Sequence, residues 1–70
     1  MKYKIGQEIP IKLNSITPNN DSVRLIETKV VIENIIDDLI FIMIPLEYGA
    51  YKKLLGTERQ LDKLLEARQF

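Results

Sequence analysis

The sequence predicts a mainly β fold with a C-terminal helix: a small bent antiparallel sheet, or a partly open barrel, of four to five strands. Three observations carry this reading. Eleven isoleucines and three valines give the chain a β-branched composition. Apolar residues recur at period two through most of the first fifty positions. A capping signature followed by leucines at helical spacing opens the last stretch. The 70 residues suit one small domain over 1–70, and a chain of that size buries only about 60% of its unfolded surface.

The first strand is marked by Ile5, Gln7, Ile9, Ile11 and Leu13 at alternate positions. Pro10 lies in the opposite phase and has no N–H to donate, which places this strand at a sheet edge or at a bulge. Thr17, Pro18, Asn19, Asn20, Asp21 and Ser22 then form a concentrated turn signal. Val23–Ile36 is long for one straight strand. Val23 and Leu25 share one phase while Ile26, Thr28, Val30 and Ile32 share the other, so a bulge or bend is expected between them. A second irregularity is expected near Glu33 and Asn34. Asp37 and Asp38 make the tip of a tight hairpin, and Pro45 stops the strand that follows.

Residues 39–44 (Leu, Ile, Phe, Ile, Met, Ile) are apolar at every position. Successive strand residues point to opposite faces, so both faces of this strand ask for cover. One face suits the core of the sheet. The other requires a helix or a second chain. Tyr48, Tyr51, Leu54 and Leu55 have a helical rhythm that Gly49 weakens, and read as a short helical turn or an irregular link. Gly56 breaks this segment. Thr57 and Gln60 fit a capping box, and Leu61, Leu64 and Leu65 give a helix over about 57–69 its apolar stripe. Glu58 in the first turn and Arg68 in the last complement the helix dipole. So short a helix is marginal alone, so it must dock on its own sheet or on a partner's.

Composition excludes several classes of function. Ten Lys+Arg balance ten Asp+Glu, so no net field draws the chain to nucleic acid or to an anionic membrane. The longest apolar run falls far short of the roughly 20 residues of a membrane span. No apolar signal segment follows Lys2 and Lys4, and zero cysteines suit a reducing compartment, which leads to the expectation of a cytoplasmic protein. Without cysteine or histidine there is no Ser–His or Cys–His nucleophilic pair and no common zinc site. Asp37 and Asp38, with Glu33, are the only carboxylate group suggestive of acid/base or cation chemistry, and such a pair at a hairpin tip reads as solvated turn residues. Gly6, Gly49 and Gly56 are isolated and build no phosphate loop. The expectation is a protein that is not an enzyme and carries no cofactor and no metal.

One resemblance stands beside this reading. Lys4, Ile5, Gly6 and Gln7 followed by Ile9 and Ile11, then Val31 through Pro45 with Ile36, Asp37 and Asp38 at its turn, resemble the N-terminal domain of flagellar brake proteins over about residues 4–56. In that family a small β-barrel precedes a PilZ domain that binds cyclic di-GMP. The resemblance implies a stand-alone or truncated barrel related to the protein-contacting part of such regulators. Arg59 with Lys63 does not match the paired arginines of the nucleotide motif, so cyclic dinucleotide binding is not carried over.

The function expected is a non-catalytic protein-interaction or regulatory module that acts through an apolar surface, with a protein partner and self-association as a homodimer among the options. The candidate contact residues are Phe41, Met43, Tyr48, Tyr51, Leu61, Leu64, Leu65 and Phe70. Two alternatives stand against it. One is a small nucleic-acid-binding barrel using Tyr48, Tyr51, Lys52 and Lys53, although that cluster also reads as side chains snorkelling at the core's rim. The other is a structural or accessory subunit encoded by a mobile element.

Overall fold

In the computed structural model, which describes residues 2–16 and 23–67, four strands are followed by one helix. Strands β1 (Glu8–Ile16), β2 (Val23–Ile36), β3 (Leu39–Pro45) and β4 (Tyr51–Thr57) form one antiparallel meander in the order β1-β2-β3-β4, and α1 (Glu58–Ala67) completes the chain. The sheet does not close into a barrel, so β1 and β4 are its edges. The mainly β architecture with a C-terminal helix is the one the composition and periodicity predict.

Each strand begins or ends where local chemistry requires it. Pro10 stands in β1, an edge strand, where its missing N–H costs no ladder bond. Ahead of β1, Gly6 takes φ 88° and its N–H reaches the carbonyl of Ile32 at 2.8 Å, while the Ile32 N–H donates to Gln7 at 2.9 Å. Asp37, at φ 56°, opens the two-residue turn between Ile36 and Leu39. The expected turn over 17–22 lies outside the described residues.

Of the two irregularities expected in β2, the one at Leu25 and Ile26 is absent and the one near Glu33 and Asn34 is present. Pairing of β1 with β2 runs unbroken from Glu8 opposite Val31 to Ile16 opposite Val23. Val23 and Leu25 are simply on the other face from Ile26 and stand 62% exposed. The bulge is at Glu33, where the register to β3 shifts between Ile32 and Asn34. That extra residue changes the phase, so that Ile32 and Ile35 share a face.

The largest correction concerns the segment before the helix. Tyr51, Leu54 and Leu55 form neither a helical turn nor an irregular link. They belong to β4, which pairs with β3 from Pro45 opposite Tyr51 to Leu39 opposite Thr57. The cause is the turn at Tyr48 (φ 59°) and Gly49 (φ 76°), closed by the Ala50 N–H on the Glu47 carbonyl at 3.1 Å. Two successive positive φ values match the right-handed twist of a hairpin and return the chain antiparallel. Nor does Gly56 interrupt anything: strand passes straight into helix.

The capping box forms as expected. The Thr57 N–H donates to Gln60 Oε1 at 2.8 Å, and the Gln60 N–H donates to Thr57 Oγ1 at 3.3 Å. A Cβ on Gly56 would stand 2.8 Å from that same Gln60 oxygen, so the glycine leaves room for the cap. The expected end of the helix, with Arg68, lies outside the described residues.

The core fills one face of the sheet. Val30 and Ile32 of β2, Ile40, Ile42 and Ile44 of β3, Leu61 of α1 and Tyr3 ahead of β1 are all buried, with Ile9, Ile11 and Leu65 packed at the margin. The helix therefore docks on its own sheet.

Candidate interaction surface

The two faces of β3 have different fates. Ile40, Ile42 and Ile44 point to the helix side and are 1%, 3% and 0% exposed. Leu39, Phe41 and Met43 point the other way. One face was expected to meet the sheet's core and the other a helix or a second chain, but core and helix occupy the same side. The described chain leaves the second face without a covering layer. Its thinnest dimension, 16 Å, has room for one helix on one sheet and for little more.

That second face is continuous across three strands. Leu39 has Ile36 on one side and Thr57 on the other; Phe41 has Asn34 and Leu55; Met43 has Val31 and Lys53. Tyr51 extends the row beside Pro45. Ile36, Leu39, Tyr51 and Leu55 are 51%, 38%, 61% and 56% exposed, while Val31, Phe41 and Met43 are half-buried between them. Scattered apolar side chains on a surface are ordinary, but a contiguous apolar patch marks a contact site.

The charges along the flanks of this patch are already matched within the chain, while Asp37 and Asp38 at its end make no ion pair among the described residues. Lys53 lies 3.7 Å from Glu33 and 5.6 Å from the centre of the Tyr51 ring. Lys29 lies 2.8 Å from Glu8, and Lys12 lies 3.5 Å from Glu27. A partner laid over the face thus meets apolar atoms in the middle and neutralised pairs along the flank.

Another cluster holds the helix on the opposite side. The Tyr3 hydroxyl donates to Asp62 Oδ1 at 2.5 Å, Lys2 Nζ lies 2.8 Å from the same oxygen, and the Lys2 backbone N–H donates to Glu58 at 3.2 Å. Burial first, and then the Asp62 carboxylate, push the Tyr3 hydroxyl well above its usual pKa. Hydrogen bonds from Lys2 and from Tyr3 hold the Asp62 carboxyl below its usual range. These ties fasten the segment ahead of β1 to α1.

The eight contact residues named from sequence separate into groups. Phe41, Met43 and Tyr51 lie on the open face. Leu61 and Leu65 belong to the core and its margin. Leu64, half-buried, borders a groove between α1 and the β4 edge with Leu54, Ala67, Lys52 and Lys63. Tyr48 is 74% exposed at the β3–β4 turn. Phe70 lies outside the described residues. Leu55, Ile36 and Val31 escaped the sequence reading. The alternation of Tyr51, Lys53 and Leu55 against Lys52, Leu54 and Gly56 carried the signal for Leu55.

Among the described residues no three His, Cys, Asp or Glu side chains gather as a metal site, and no helix is long and apolar enough to cross a membrane. The chain matches no family model, no curated protein and no solved structure.

Proposed function

We propose that this chain is a non-catalytic, cytoplasmic protein-interaction or regulatory module whose working surface is the open face of its sheet. One observation carries the reading: Leu39, Phe41 and Met43 stand opposite a packed core with none of the described residues laid over them. Burial of apolar area yields roughly 25 cal/mol per Å², so the patch suits recognition by contact rather than by bond chemistry. Its flanking ion pairs supply the polar rim that such interfaces carry. The resemblance of residues 4–56 to the protein-contacting barrel of flagellar brake proteins points the same way. A nucleic-acid role finds less support, since Lys53 beside Tyr51 is paired with Glu33 and the chain has no excess of positive charge.

The test is site-specific photo-crosslinking in the cells that make the protein. A photoreactive side chain at Leu55, on the open face, is expected to form a discrete adduct, and one at the exposed Arg59 of α1 is not. No adduct at position 55, or equal yields from both positions, overturns the reading.

A further inference from the structure

We infer that the occupant of the open face is a second copy of this chain, packed sheet against sheet about a two-fold axis that crosses β3 near Phe41. The inference rests on the open face being the working surface, and it names the partner.

Area is the first argument. Given the exposures above, the patch offers roughly 450 Å² of apolar surface, within the range of the largest, often functional, patches on monomers. A standard interface buries about 800 Å² per partner, a little over half of it apolar. The patch is therefore the size one side of such an interface needs. A two-fold contact uses the same patch twice, so about an axis running across the strands at Phe41 the Phe41 and Leu55 of one copy meet their counterparts and Leu39 meets the other copy's Met43. Aligned sheets pack about 10 Å apart with interdigitating side chains, and a face with apolar residues on three adjacent strands supports that packing.

Charge is the second argument, and it selects the orientation. Asp37 and Asp38 are exposed at one end of the patch and make no ion pair among the described residues, while Lys53, toward the other end and on the same face, is exposed and lies 3.7 Å from Glu33. A two-fold axis perpendicular to the strands reverses the patch end for end. Each acidic hairpin tip then lies over the partner's end of the patch, where Tyr51 and Lys53 stand. An axis parallel to the strands would bring the two acidic tips to the same end of the interface, where they would repel. The chain has zero formal net charge, so no overall repulsion opposes the pairing.

The experiment is sedimentation equilibrium of the purified full chain at high micromolar concentration, with thermal melting to verify folding. The wild type is expected at twice the chain mass. Leu55→Lys and Ile36→Lys, both at exposed positions, are expected to return it to the mass of one chain while still melting cooperatively. Val23→Lys, exposed on the same face but far along β2, is expected to remain dimeric. A wild type of single-chain mass overturns the inference, as does a dimer that survives both substitutions on the open face. A monomer that nevertheless crosslinks at position 55 to a different protein sinks the second copy and leaves the interaction module standing. A monomer with no adduct sinks both.

Discussion

At Tyr3 one hydroxyl links the segment ahead of β1 to Asp62 of α1. Tyr3→Phe removes that bond and is expected to lower stability by about 1 kcal/mol in denaturant titrations. The pH dependence follows from the two shifts. Tyr3 ionises less readily folded than unfolded, so its contribution is complete below its ordinary pKa of 10.0 and is lost as alkali carries the pH above that value. Asp62 holds its proton less tightly when folded, so its contribution is present above its ordinary 3.8 and is lost as acid takes the pH below it. Tyr3→Phe should therefore flatten the alkaline limb of the stability profile. An unchanged limb would show that the hydroxyl does not couple to folding. Gly56 makes a second test at this scale. Gly56→Ala drives a methyl group into Gln60 Oε1 and should cost about 1 kcal/mol by breaking the cap. In a Gln60→Ala background the same change should cost clearly less, and equal costs in both backgrounds would separate the glycine from the cap.

At the scale of elements, β3 concentrates the stability of the sheet. Ile42→Ala opens a cavity among Ile32, Leu54 and Leu61 and should cost about 2–4 kcal/mol. Met43→Ala, one residue along but on the open face, should cost less than about 1 kcal/mol in the monomer, and equal losses would erase the distinction between the faces. The elements readable from sequence are those set by local chemistry. Asp37 and Asp38 fold their own hairpin, and Thr57 and Gln60 cap their own helix, so neither depends on distant residues. Strand β4 was hidden because Tyr51, Leu54 and Leu55 sit three and four apart, a spacing shared by a helix face and by a strand with one off-phase leucine. Pairing with β3, a long-range contact, decides between them. The bend expected at Leu25 and Ile26 is absent for a related reason. Surplus apolar residues such as Val23 and Leu25 indicate either a bulge or an exposed second face, and only the register against β1 tells the two apart.

At the scale of the whole molecule, the four strands, their meander and one helix make two layers where the apolar content of residues 39–44 asks for three. The demand for cover on both sides of β3 was legible in six consecutive residues. Which side the helix takes was not, because that depends on the α1 leucines and Tyr3 meeting over Ile40, Ile42 and Ile44. The claim that β3 has one sealed and one open side is tested most directly by placing single cysteines along it, since the natural chain has none to interfere. Thiol labelling of the dilute protein should be fast for Leu39→Cys and Met43→Cys and slow for Ile40→Cys and Ile42→Cys. Raising the protein concentration should slow the first pair alone. Equal labelling along the strand, or faster labelling at Ile40 and Ile42, would contradict the account.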